Sequence, residues 1–112
     1  MARAATTLDP FNAVAEPKRR QVLETLAYGE MPVGDLVVRL GWPQPMVSKH
    51  LGVLKEVGLV KARREGRQRL YSVNGEKLKT IHDWAKTFER FWAHQLLRIK
   101  EQAERKHKEQ TN

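Results

Sequence analysis

The stretch that decides the fold is Gln44-Pro45-Met46-Val47-Ser48-Lys49-His50-Leu51-Gly52-Val53-Leu54, continuing through Glu56-Val57-Gly58-Leu59-Val60. Val47, Leu51, Leu54 and Val57 recur at helical spacing, which makes one apolar stripe with polar residues on the other side. This predicts a helix over 45–57, stopped by Gly58. Lys61-Ala62-Arg63-Arg64-Glu65-Gly66-Arg67-Gln68-Arg69 follows at once. Leu59–Glu65 and Gln68–Val73 read as strands joined at Gly66-Arg67, with Tyr71 and Val73 on one face. A helix with a polar outer face, followed by a hairpin with a positive tip, reads as a recognition helix and a wing. That is a way of holding duplex DNA.

Working outward, Asp9-Pro10 predicts the cap and first turn of a short helix containing Phe11, Val14 and Ala15. Pro17 opens a second helix reaching about Tyr28 and ended by Gly29, with Val22, Leu23, Leu26 and Ala27 on one face. Lys18, Arg19 and Arg20 stand at its start, where cations oppose the helix dipole. That conflict fits a solvated face or a phosphate contact. A third helix is predicted over 33–40, with Leu36, Val37 and Leu40 inward, and the turn-rich Gly41-Trp42-Pro43-Gln44 leads to the fourth. Downstream, Asn74-Gly75 breaks the chain, and one long helix is predicted from about Glu76. The order is four helices, two strands and a long helix: a mainly α fold of the winged helix-turn-helix type. We expect a flexible N-terminus over 1–8, one DNA-binding and dimerisation domain over 9–104, and a fraying polar tail over 105–112.

Composition agrees. The chain has 112 residues, and 21 Lys plus Arg against 13 Asp plus Glu give a formal net charge of +8. Such an excess suits a polyanionic partner. There is no cysteine, which excludes disulfides and thiolate metal sites. No segment is apolar over the length a membrane helix needs, and the start carries too short an apolar run for a signal peptide. The cytoplasm is the expected compartment, and no membrane partner is expected.

The candidate DNA-binding residues follow from the helix face. With Val47, Leu51 and Leu54 inward, the fourth helix offers Gln44, Met46, Ser48, Lys49 and His50. Gln44 both donates and accepts and suits adenine; Ser48 can reach a phosphate or a base; Lys49 can reach guanine or a phosphate; Met46 can touch a thymine methyl. His50 fits either donation to a phosphate or packing at the helix edge. The wing adds Arg63, Arg64, Arg67, Gln68 and Arg69 against Glu65 alone. Crowded like charges on a hairpin tip cost stability unless an anion is near, and Arg is the side chain that best pairs phosphate or enters a narrow minor groove.

Taken in order and spacing, these pieces are similar to a known family. Ala15–Leu23, Gln44–Leu51, Leu54–Val60, Arg63–Arg67 and Tyr71–Val73 resemble the ArsR/SmtB-type winged-helix transcriptional repressors, over about residues 9–73. The resemblance implies a homodimer on an operator with two half-sites, released by an effector. It also shows departures. Metal-sensing members carry Glu-Leu-Cys-Val-Cys-Asp-Leu before the turn, whereas this chain reads Glu30-Met31-Pro32-Val33-Gly34-Asp35-Leu36. A soft metal has no thiolate to hold. The family's second metal site, on the last helix, also fails: His82, Asp83 and His94 do not make the pattern, and zinc's four ligands are not in view. No metal or cofactor is expected. Pro43 stands where relatives often place a capping Ser, a loss of about 0.5–2 kcal/mol, partly recovered by Pro45 in the first turn.

The last helix carries Trp84, Phe88, Phe91 and Trp92, too long a stripe to bury against a small winged domain. A second copy is the expected cover, with Phe11 and Val14 of the first helix alongside. The segment around Phe88 resembles a cysteine-free subgroup of the family, whose effector the residues leave open. The alternative is a winged helix used for protein contact without sequence-specific DNA binding, which has no need of an arginine-rich wing. No nucleophile relay, phosphate loop or paired carboxylates point to an enzyme.

Overall fold

The computed structural model describes residues 9–111. Two compact units divide the chain, one reaching Ile81 and the other starting at His82. The expected loose terminus, 1–8, lies outside the described residues.

The first unit contains α1 (Pro10–Ala15), α2 (Pro17–Leu26), β1 (Met31–Pro32), α3 (Val33–Leu40), α4 (Gln44–Glu56), β2 (Val60–Glu65), β3 (Gln68–Val73) and the first part of α5 (Gly75–Lys86). Asp9 caps α1 as its sequence suggests, its carboxylate accepting the Asn12 N–H at 2.8 Å, with Pro10 in the first turn. Glu16 does the same for α2, accepting from the Lys18 N–H at 3.2 Å. α3 stops at Gly41, whose φ of 70° places it in the left-handed region that a helix C-terminus favours. α4 starts after Pro43 with no side-chain cap, as the missing Ser implied.

The apolar stripe of α4 is the centre of the core. Val47, Leu51, Leu54 and Val57 are buried together with Ala13, Val22, Leu23, Leu26, Met31, Leu36, Leu59 and Val60. Val14, Val37, Leu40, Trp42, Tyr71, Val73 and Ile81 pack half-buried against them. Asn74 fastens the end of this arrangement. Its side-chain amide donates to the Gly58 carbonyl and its backbone N–H to the Leu59 carbonyl, both at 2.8 Å.

The sheet is antiparallel with strand order β1-β3-β2. The hairpin has the expected register, Glu65 opposite Gln68, and turns on Gly66 at φ 62°. β1 is a third strand that the sequence reading lacks. Met31 pairs with Tyr71 and Pro32 with Leu70, which makes β3 the central strand.

The second unit holds the rest of α5 and α6 (Glu89–Thr111). The single long helix expected from Glu76 is therefore two. At the break, the Thr87 hydroxyl donates to the Trp84 carbonyl at 2.7 Å, and the N–H groups of Thr87, Phe88 and Phe91 bond three residues back. A threonine that takes a helical carbonyl competes with the backbone ladder. α6 then continues to Thr111, so the segment from Arg105 is helical where a fraying tail was expected. Trp84 meets Phe88 edge-on at 5.2 Å, and Phe88 lies 6.2 Å from Phe91. Among the described residues no helix is long and apolar enough to cross a membrane.

Candidate nucleic-acid interface

All the pieces of the candidate interface belong to the first unit. α4 packs on α2, α3 and β2, so its polar face is oriented by the stripe it buries. Gln44, Ser48 and Lys49 are exposed on that face. Met46 is half-buried.

His50 does not belong with them. It is 8% exposed, and its ring meets Trp42 edge-on at 6.3 Å. Of the two roles open to it in the sequence, packing is the one the structure gives, and a ring so buried does not reach DNA from the exposed face. The signal was present: His50 lies three residues after Val47 and four before Leu54, on the buried stripe itself. Its Nδ1 is buried with no hydrogen-bond partner among the described residues. Burial, and next the positive charge of Arg19, hold the imidazole below the ordinary histidine range. Lys18 lies over the Trp42 ring, with its Nζ 4.7 Å from the ring centre.

The cations at the start of α2 have a further role that neither sequence alternative contained. Arg19 donates from Nε to the Ala13 carbonyl at 2.7 Å and from Nη2 to the Asn12 carbonyl at 3.4 Å. Arg20 donates to the Val14 and Ala15 carbonyls at 2.6 and 3.3 Å. They close the C-terminus of α1, where carbonyls lack helical partners and cations suit the dipole. The tight corner at Glu16-Pro17 brings them there.

On the wing, Arg64, Arg67, Gln68 and Arg69 are exposed with no side-chain hydrogen bond or ion pair among the described residues. Arg64 and Arg69 are directly opposite in register, so two like charges face each other across the ladder. Arg63 differs. It makes a two-pronged pair with Glu30, Nε to Oε2 at 2.8 Å and Nη2 to Oε1 at 2.7 Å, and also reaches Glu65 at 3.1 Å. The hydrogen bonds from Arg63 hold the Glu30 carboxyl below the usual carboxylate range. Sequence reading set Glu65 alone against the wing arginines. Glu30, 33 residues away, is the counter-charge it missed.

Two positions stand where metal-sensing relatives carry cysteines. Pro32 ends β1 and Gly34 sits exposed in the first turn of α3. Among the described residues no cluster of His, Asp or Glu could hold a metal ion. His82 Nδ1 lies 3.4 Å from a carboxylate oxygen of Asp83.

Comparison with known proteins agrees with this geometry. The model for bacterial regulatory proteins of the arsR family matches residues 16–62, from the cap of α2 into β2. The chain is 40% identical over 72 residues to an uncharacterized HTH-type transcriptional regulator of Methanocaldococcus jannaschii, covering 63% of this chain and 81% of that protein. It is 32% identical over 78 residues to the transcriptional repressor SdpR of Bacillus subtilis, covering 70% and 87%. A solved homodimeric winged helix-turn-helix DNA-binding domain from Mycobacterium bovis superposes with a TM-score of 0.60 at 28% identity, covering 80% of this chain and 91% of that one. The chain belongs to the ArsR family of bacterial regulatory proteins.

Proposed function

We propose that this chain is a repressor that binds duplex DNA as a homodimer, one α4 helix entering the major groove at each of two half-sites. The observation that carries this reading is the exposed polar face of α4, Gln44, Ser48 and Lys49, in one unit with a wing whose Arg64, Arg67 and Arg69 have no internal counter-charge among the described residues. Gln44, Ser48 and Lys49 read base edges or hold the first phosphates, Met46 offers an apolar contact to a thymine methyl, and the wing holds backbone. Two such helices reach successive major grooves about 34–36 Å apart.

The second copy covers the aromatic surface. Trp84, Phe88, Phe91 and Trp92 are 56, 40, 71 and 44% exposed, and Phe11 is 41% exposed. Large aromatics at that exposure suit an interface core. Release from the operator does not pass through a thiolate metal site, because the chain has no cysteine. An effector that releases it has to bind the DNA-competent and DNA-incompetent forms with different affinity.

Selection of bound duplexes from a random pool tests the reading. The expected result is an inverted repeat with half-sites one helical turn, or a multiple of it, apart. Recovery of unrelated sequences, or affinity that does not fall as salt rises, overturns it.

A further inference from the structure

We propose that Arg63 is a positioning residue. Bridged to Glu30, it fixes the tilt of the wing, and Arg64, Arg67 and Arg69 are the wing cations that meet phosphate. The inference rests on the DNA-binding reading above and refines it residue by residue.

The register separates the arginines. Paired residues of an antiparallel ladder share a face, and alternate positions along a strand return to it. Arg64 and Arg69 therefore share the face of Ala62 and Tyr71, beyond the edge of the core, while Arg63 shares the opposite face with Leu70. Glu30 immediately precedes β1, at one edge of the sheet, and Arg63 lies on β2, at the other. The bridge thus spans the central strand β3. Leu70, register partner of both Arg63 and Pro32, lies between its ends and is 9% exposed.

The chemistry separates them again. The Arg63 guanidinium already meets two carboxylates, one of them in a fork-to-fork pair. A cation neutralised in this way releases no counterion on meeting DNA and adds nothing to the salt dependence of binding. Arg64 and Arg69 are opposed like charges, an arrangement that a bridging phosphate diester relieves.

The test uses the full chain and a labelled duplex recovered from the random pool, with affinity followed across a salt series. R64Q and R69Q are expected to flatten the slope of log affinity against log salt by about 0.9 for each bound chain. R63Q and E30Q are expected to weaken binding about 3–10-fold without flattening the slope, the scale of coupling between neighbouring groups. The charge-swapped double variant Glu30→Arg with Arg63→Glu is expected to regain wild-type affinity. Amide hydrogen exchange in β2 and β3 of the free chain is expected to quicken in E30Q and R63Q and to slow again in the swap.

Three results overturn the bridge alone: R63Q flattens the slope as R64Q does, E30Q tightens binding and steepens the slope, or the swap binds worse than either single variant. Wild-type binding without salt dependence, unchanged in R64Q, overturns the DNA reading and the bridge with it.

Discussion

Replacing Arg19 by Ala should loosen the short first helix from the rest of its unit. α1 spans only Pro10–Ala15, too short to hold itself together. Its C-terminal carbonyls depend on the two arginines. Arg19→Ala removes a 2.7 Å charge-assisted bond to the Ala13 carbonyl and a long 3.4 Å contact to that of Asn12. A hydrogen bond from a charged donor contributes about 1.5–3 kcal/mol, and the half-buried setting argues for the lower end. A loss of about 1.5 kcal/mol lowers the midpoint of a domain of this size by roughly 6–12 °C. Arg19→Lys keeps the charge but not the fork and should fall between. The assay is thermal unfolding by circular dichroism at fixed protein concentration, since dimerisation also shifts the midpoint. Because Arg19 also depresses the His50 pKa, the Ala variant should move the imidazole resonance's titration upward in NMR. A midpoint within about 2 °C of wild type and an unmoved His50 titration would refute the cap.

Other substitutions test the remaining assignments. His50→Phe should remove an acid-sensitive component of stability. The folded pKa lies below the unfolded value of about 6.5, so the unfolded chain binds more protons between them, and stability present above about pH 6.5 is lost as pH falls through the folded value. Unfolding free energies of wild type and variant that run parallel from neutral to mildly acid pH would count against this. Ser48→Ala with Lys49→Ala should weaken binding to the selected duplex at least tenfold, about 1.4 kcal/mol, at unchanged melting temperature; unchanged affinity in a mobility-shift titration would mean that α4 is not the reading helix. Phe88→Asp or Trp84→Asp should dissociate the dimer by burying an unpaired charge, and sedimentation showing intact dimers would displace the interface from this face.

What could be read from the sequence depended on local period and punctuation. α4 and the hairpin are both local: a stripe of four apolar residues, then Gly58, then a turn at Gly66. β1 has two residues, too few to show alternation, and exists only because β3 pairs with it. The break at Thr87 carries no Gly or Pro, so nothing in the helical spacing or punctuation marks it. Within the site, the split among the wing arginines turned on Glu30, whose approach to Arg63 depends on the three-stranded register. His50 is a different case. Its place on the apolar stripe is legible, and a polar ring at such a place packs when an aromatic neighbour such as Trp42 covers it.

Asn74 has a consequence for operator geometry. By tying the residue after β3 to Gly58 and Leu59, in the turn between α4 and β2, it closes the base of the hairpin on the exit of α4, so that in the proposed reading the groove-reading helix and the backbone-holding hairpin form one caliper with a fixed gap. A half-site read by such a caliper tolerates substitution at any single contacted base better than it tolerates one added or deleted base pair between the groove contact and the backbone contact.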